Sequence, residues 1–176
     1  LGMCGTTWAA ETTGTNAASA AVATQAGTSM NNATRIYFNT QYSGSLSESV
    51  GENWYKVDLP SAGRLTINGT SYMRWTSLAI YDAAGERLWY RWNQSWNEQT
   101  QSLAIKDWNI NLTRGTYYLC FDKSYGDGGR YTFNLKFTSA EESFDENGSG
   151  INNLLQNASA ITLGKTYKGQ IALNDE

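Results

Sequence analysis

Apolar and polar residues alternate along about half of this chain, and turn residues interrupt the alternation at short intervals. The alternation is clearest in Tyr55, Val57 and Leu59, which Lys56 and Asp58 separate. Successive side chains of a β-strand point to opposite sides, so this period of two predicts strands that each bury one face. The pattern recurs in further runs at 65–67, 78–80, 88–92, 103–105, 110–112, 117–121 and 131–137.

Polar turns separate these runs, at residues 60–63 (PSAG), 82–85 (DAAG) and 126–129 (GDGG). Gly, Pro and Asp favour tight turns because of their backbone preferences and local hydrogen bonds. About eight short strands between turns predict an all-β fold, a two-sheet antiparallel β-sandwich. We place this domain at residues 31–138. Its core is expected to contain Val57, Ile80, Leu119 and Phe133 together.

Composition and charge exclude several function classes. The net charge is −3 and the basic residues are scattered, so the chain lacks the basic stripe that binds nucleic acid. No apolar run reaches the roughly 18 residues that cross a bilayer, so we expect no membrane insertion. The absence of histidine excludes Ser-His-Asp and Cys-His catalysis and the usual zinc ligation. We therefore expect no enzyme; paired carboxylates among Glu48, Glu52, Glu86 and Glu98 are the remaining catalytic alternative, but all lie in or beside polar turns.

The regions outside the predicted sandwich differ from it in composition. Residues 1–10 are typical of the end of a signal peptide and predict export, with an arbitrary start of the sequence as the alternative. Residues 11–30 are rich in Ala and Thr and predict a disordered linker. Residues 139–150 are an acidic Gly/Ser linker. Of the two cysteines, Cys120 lies in a strand pattern and is expected to be buried, without a disulfide to Cys4.

One segment of the sequence is repeated. Residues 32–46 (NATRIYFNTQYSGSL) return 125 residues later as residues 157–171 (NASAITLGKTYKGQI), with Asn, Ala, Ile, Tyr and Gly identical. Repetition at a fixed offset is the mark of tandem units. We therefore interpret residues 151–176 as the truncated start of a second copy of the domain.

An aromatic cluster is the strongest candidate for a binding site. Trp89, Trp92 and Trp96 occur among polar residues that include Arg91 and Asn93. Indole rings beside amide and guanidinium donors suit a sugar ring or a collagen-like chain. Alternation places Trp89 and Trp92 on opposite faces of a strand, so one of these faces is solvent or an interface. The alternative is that Trp89 packs under a loop or along the sheet edge.

The order and spacing of several motifs resemble the bacterial pre-peptidase C-terminal domain family, whose relatives include the collagen-binding domains of clostridial collagenases. The resemblance covers residues 31–138 and again 142–176. It is carried by the segments 42–46 (YSGSL), 53–60 (NWYKVDLP), 78–82 (LAIYD), 115–119 (GTYYL) and 129–133 (GRYTF). It implies a jelly-roll-like sandwich, attached to secreted enzymes or surface proteins and without activity of its own.

Some members of that family bind calcium through acidic residues before the first strand and aspartates ahead of a tyrosine-bearing strand. The first copy departs from this pattern, because Asn31, Asn32 and Asn53 stand at the positions concerned. Calcium requires six to eight oxygen ligands, so no site is expected there. In the second copy the candidate ligands of Ca²⁺ are Glu142, Asp145, Glu146, Asn147 and Asp175. A solvated acidic linker is the alternative.

The sequence thus predicts a non-catalytic binding or spacer module, one of a tandem series in a bacterial secreted or cell-surface protein. Its expected partners are an extracellular polysaccharide or matrix protein and neighbouring repeats of the same chain. The alternative is a carbohydrate-binding module appended to a secreted hydrolase, with the three tryptophans as the ligand surface.

Overall fold

The computed structural model describes residues 22–23, 25–123, 128–140, 158 and 160–169. These residues contain a short 3-10 helix at Met30–Asn32 and two short strands, β1 (Val22–Ala23) and β2 (Thr34–Arg35). Eight longer strands follow: β3 (Gln41–Leu46), β4 (Glu52–Leu59), β5 (Gly63–Ser71), β6 (Thr76–Tyr81), β7 (Arg87–Asn93), β8 (Leu103–Leu112), β9 (Gly115–Asp122) and β10 (Gly129–Ser139). The described part of the chain has no helix of the length and hydropathy that a bilayer span needs.

The strands form two five-stranded sheets, in the orders β1-β3-β10-β5-β8 and β2-β4-β9-β6-β7. All pairings between the eight long strands are antiparallel, whereas β1 and β2 run parallel to β3 and β4. Successive long strands cross from one sheet to the other, except for β6 and β7, which are neighbours in the same sheet. The predicted all-β, two-sheet antiparallel sandwich is confirmed.

A single core fills the space between the two sheets. Val57, Ile80, Leu119 and Phe133 are at most 1% exposed and belong to one cluster, as predicted. Buried rings form its centre, where Phe121 stacks on Tyr131 with their centroids 4.4 Å apart. The Tyr131 hydroxyl accepts a hydrogen bond from the Asn53 amide at 2.7 Å, so the buried phenol is satisfied.

The strand β8 differs from its prediction. The apolar runs 103–105 and 110–112 indicated two strands, but they lie in one strand that bulges between them. Asp107 has a positive φ of 50°, and its backbone N–H donates a hydrogen bond to the side-chain oxygen of Asn68 at 2.8 Å. The extra residue of a bulge breaks the period of two, which is why alternation divided the strand.

Residues 25–30 belong to the domain, although the sequence placed them in a disordered linker. Gly27 exchanges two backbone hydrogen bonds with Trp54, at 2.8 and 3.2 Å. A Cβ on Gly27 would lie 2.2 Å from the Asn32 carbonyl oxygen, so only glycine fits this close approach. The missing side chain of Gly27 permits this backbone contact, so residues 25–30 are ordered although few of them are apolar. The domain begins before residue 31.

The second occurrence of the repeated segment has the local geometry of the first. The Tyr37 N–H donates to the Tyr42 hydroxyl at 2.9 Å, and the Thr162 N–H donates to the Tyr167 hydroxyl at 2.7 Å. A positive φ occurs at corresponding positions, 58° at Asn39 and 78° at Gly164. The burial differs, since Ile36 is 1% exposed but its counterpart Ile161 is 70% exposed.

Several predictions concern residues outside the described ones. They are the signal-peptide remnant at 1–10, most of the linkers at 11–30 and 139–150, and the candidate calcium ligands Glu142, Asp145, Glu146, Asn147 and Asp175.

Candidate functional site: an aromatic pocket at the edge of the second sheet

Within the described part of the chain, β7 is the last strand of its sheet and pairs with β6 alone. The pairing places Trp89 opposite Ile80, whose side chain lies in the core. Trp92 pairs with Ser77. Because side chains alternate along a strand, Trp89 points toward the core and Trp92 points away from it. The predicted aromatic cluster is therefore divided between two faces.

The inward members of the cluster belong to the margin of the core. Trp89 is half-buried, and its ring lies 5.8 Å from that of Trp108. The Arg91 guanidinium covers the Trp108 ring at 5.3 Å. Trp96 is also half-buried against the core, and Arg74 lies 5.2 Å from its ring. Three of the five predicted ligand-binding residues, Trp89, Arg91 and Trp96, thus make contacts within the domain.

The outward members line a pocket of about 190 Å³. Trp92 stacks on Trp75, with ring centroids 6.2 Å apart and planes 25° from parallel. Trp92 is 52% exposed, Tyr90 43% and Trp75 41%. The remaining lining residues are Thr76, Ser77, Asn93 and Asp122. We call this site the Trp75–Trp92 pocket.

Sequence reasoning named Trp92 and Asn93 as site residues and missed Trp75, Ser77 and Asp122. Trp75 precedes β6, and Asp122 ends β9, so neither is near β7 in the sequence. They meet because β6 lies between β7 and β9 in the sheet. The sequence signal for Trp75 was a large indole within a polar segment, which alternation does not bury.

Hydrogen bonds fix the polar side of the pocket. The Ser77 hydroxyl donates to the Asp122 carbonyl oxygen at 3.0 Å. The Asn93 amide donates to the Ala104 carbonyl oxygen at 3.1 Å, and its oxygen accepts from the Ser95 N–H at 2.9 Å. Asn93 thus shapes the turn after β7 as well as lining the pocket.

A row of side chains crosses four strands of the sheet, from the pocket on β7 to Glu52 on β4. Strand register pairs Trp92 with Ser77, Ser77 with Asp122, and Asp122 with Glu52. Neighbouring strands lie about 4.8 Å apart, so Asp122 is about 10 Å from Trp92 along the row. The Glu52 carboxylate accepts the Trp54 indole N–H at 2.8 Å. The carboxylate of Glu52, outside the pocket, therefore lies beside that of Asp122, which lines it.

The negative charges of Glu52 and Asp122 affect the pKa of Cys120, which lies on the same face of the sheet. Burial, followed by the charges of Glu52 and Asp122, raises the pKa of the Cys120 thiol far above its ordinary value. Cys120 is 4% exposed, as predicted, and a thiol with a raised pKa is a poor nucleophile.

Four arginines lie over aromatic rings in the described part of the chain. They cover Tyr72, Tyr90, Trp96 and Trp108, at distances from 4.4 to 5.3 Å. Among the residues that the structure describes, no cation covers Trp75 or Trp92 in this way. Their exposed ring faces are therefore open to a ligand.

The described residues contain no group of three side chains that would hold a metal ion. Asn53, at the position where the resembled family has an aspartate, is 4% exposed. Its amide donates to the Ser45 carbonyl oxygen at 2.8 Å and to the Tyr131 hydroxyl. Both amide hydrogens of Asn53 are thus used within the domain.

Comparison with solved structures gives a likeness to the pre-peptidase C-terminal domain of a collagenase from Bacillus anthracis. The two chains are 23% identical, and the similarity covers 58% of this chain and 93% of the other, with a TM-score of 0.47. A scan of protein-family models and a search of curated proteins give no match.

Proposed function

We propose that this chain is a non-catalytic binding module of a bacterial secreted or cell-surface protein, and that it binds an extracellular polymer through the Trp75–Trp92 pocket. The observation that carries this proposal is the stacked, exposed pair of indoles. Indoles are costly to leave in water and are enriched where proteins bind partners. Among the described residues that line the pocket, Asp122 is the one carboxylate.

We also propose that the module is one of a tandem series. Support comes from the sequence repeat and from the shared turn, in which a tyrosine hydroxyl accepts the N–H five residues before it. Ile161 and Leu163 are 70% and 96% exposed, whereas Ile36 packs inside the sandwich and Phe38 stacks on Phe137. The strands of a second copy would cover these two residues in the same manner.

Export and a bacterial origin are parts of the proposal that rest on the sequence alone. Residues 1–10 are typical of a signal-peptide end, and the motifs at 42–60 and 115–133 resemble a family of secreted bacterial modules.

The pocket role is tested by binding to immobilised polysaccharides and matrix proteins. The double variant Trp75→Ala/Trp92→Ala should lose binding at least about tenfold, which corresponds to the loss of about 1.4 kcal/mol or more. Tyr37→Ala is the control, because Tyr37 is 62% exposed and does not line the pocket. Binding that survives in the double variant but is lost in Tyr37→Ala would contradict the assignment and move the binding surface to the side of Tyr37. Wild type that binds none of these polymers would leave a spacer role.

A carbohydrate is the second candidate ligand, as it would be for a module appended to a hydrolase. The exposed Trp92 ring offers a flat apolar face, and the Asp122 carboxylate accepts hydrogens from hydroxyl groups. Neutral oligosaccharides that shift the fluorescence of wild type, but not of Trp92→Ala, would favour this candidate.

A further inference from the structure

We propose that the Trp75–Trp92 pocket takes an arginine side chain of a partner protein. The inference rests on the proposed function and names the chemical group that occupies the pocket. A guanidinium stacks on indole faces and donates hydrogen bonds to carboxylates, and the pocket supplies both partners.

The charge of the pocket favours a cation. Asp122 is the one charged residue among the described residues that line it. The register places Glu52 next to Asp122 on the same face, so a second carboxylate reinforces the first. Strand spacing puts a cation over Trp92 about 10 Å from Asp122 and about 14 Å from Glu52, beyond the Debye length of about 8 Å at physiological salt. The attraction is therefore strongest for a cation that lies on the Asp122 side of the pocket.

The hydrogen-bonding groups of the pocket favour a donor. The Ser77 hydroxyl hydrogen and one Asn93 amide hydrogen are used within the domain. The carboxylate of Asp122 only accepts hydrogen bonds. A guanidinium has five N–H donors and no acceptor, so it complements this set.

The chain itself uses the same chemistry on neighbouring rings. Arg87 covers Tyr90, a lining residue of the pocket, at 5.3 Å, and Arg130 covers Tyr72 at 4.4 Å. Trp75 and Trp92 have the same exposed ring surface without a cation over them among the described residues. A partner's arginine would complete the series.

The size of the pocket fits one side chain. Its volume of about 190 Å³ is smaller than the roughly 300 Å³ at which pockets for drug-sized ligands begin. A guanidinium with part of its aliphatic stem fits within it, with the stem against the indoles.

The test titrates the full chain with a blocked peptide that contains one arginine, and with the same peptide carrying citrulline. Citrulline is neutral and nearly isosteric, so the pair isolates the charge. Indole N–H signals in NMR spectra detect the weak binding of a single side chain. We expect the signals of Trp75 and Trp92 to shift with the arginine peptide, and its affinity to exceed that of the citrulline peptide at least about tenfold.

Variants then locate the effect. Asp122→Asn should lower the affinity for the arginine peptide about three- to tenfold, because hydrogen bonds to charged groups are about twice as strong as neutral ones. Glu86→Gln is the control, since Glu86 is exposed in the turn at the opposite end of β7. It should bind as wild type does.

The inference is overturned if the citrulline peptide binds as tightly as the arginine peptide. It is also overturned if a neutral oligosaccharide shifts the same indole signals and Asp122→Asn leaves its affinity unchanged, although the proposed binding role then stands. If neither peptide and no polysaccharide or matrix protein shifts these signals, both the inference and the binding role of the pocket fail.

Discussion

Trp89 and Trp92 occupy the same strand three residues apart, yet they belong to different parts of the molecule. Trp89 faces the core and packs near Trp108, whereas Trp92 faces outward and stacks on Trp75. The strand pleat alone makes this division, since residues an odd number apart point to opposite sides. Aromatic residues that are close together in the sequence therefore need not form one surface of the folded domain. Here Trp89 packs against the core, and Trp92 is open to a ligand.

The residues next to each tryptophan strengthen the contrast. Trp89 lies opposite the fully buried Ile80. Tyr90 and Trp92 lie opposite Ala79 and Ser77, which are small. Small side chains beside large rings leave a depression next to the aromatic edge, which is the pocket. The inward face is filled by its neighbours, and the outward face is not.

The largest change in stability is expected from substitutions in the core, against which Trp89 packs. Phe133→Ala should lower the free energy of unfolding by about 3 to 5 kcal/mol, because Phe133 is fully buried and contacts Tyr55 and Phe121. Urea unfolding measures this. A loss below about 1 kcal/mol would show that β10 does not pack as described.

Alkaline pH should lower the stability of the domain, because two of its buried tyrosines have raised pKa values. Burial raises the pKa of Tyr131 and of Tyr55 above the ordinary value of 10.0. The unfolded chain ionises first, so this stability is complete below about pH 10 and is lost above it, by up to about 1.4 kcal/mol per pH unit for each tyrosine.

Urea unfolding at about pH 9 and about pH 11.5 checks the pH dependence. Tyr131→Phe should have the smaller difference in the free energy of unfolding between the two pH values, because one of the two buried phenols with a raised pKa is gone. Equal differences in wild type and variant would contradict burial of a neutral Tyr131.

The two tryptophans of β7 provide the matched pair. Trp89→Ala should lower the free energy of unfolding by about 2 kcal/mol. The loss is smaller than for the same substitution at a fully buried tryptophan, because Trp89 is only half-buried. Trp92→Ala should change stability by no more than about 0.5 kcal/mol, since its ring is 52% exposed. The comparison is wrong if Trp92→Ala is the more destabilising of the two.

The repeated turn offers a smaller contrast of the same kind. Tyr42→Phe removes the acceptor of the Tyr37 N–H inside the sandwich and should cost about 1 kcal/mol. Tyr167→Phe makes the same change where the Thr162 N–H is exposed, and should cost less than about 0.5 kcal/mol because water replaces the bond. Equal costs would indicate that the second turn is as well covered as the first.

Local patterns predicted most of the fold. Alternation located β4 to β7, β9 and β10, because one buried face imposes a period of two on each. It failed at β8, where the bulge at Asp107 changes the phase, and at residues 25–30, where glycine permits backbone contact without apolar side chains.

The site was less predictable, because it depends on which strands become neighbours. Trp92 and Asn93 were found from their own sequence context. Asp122 joins them only through the position of β9 beside β6, and no local signal encodes that order. Trp89 and Trp96 carried the same sequence signal as Trp92 but pack against the core.

The most direct test compares the affinity of Trp92→Ala and Trp89→Phe for a polymer that binds wild type. Trp89→Phe keeps an inward ring and an intact fold while it removes the indole. We expect Trp92→Ala to weaken binding at least about tenfold and Trp89→Phe to leave it within about twofold of wild type. Loss of binding in Trp89→Phe, with full affinity in Trp92→Ala, would contradict it.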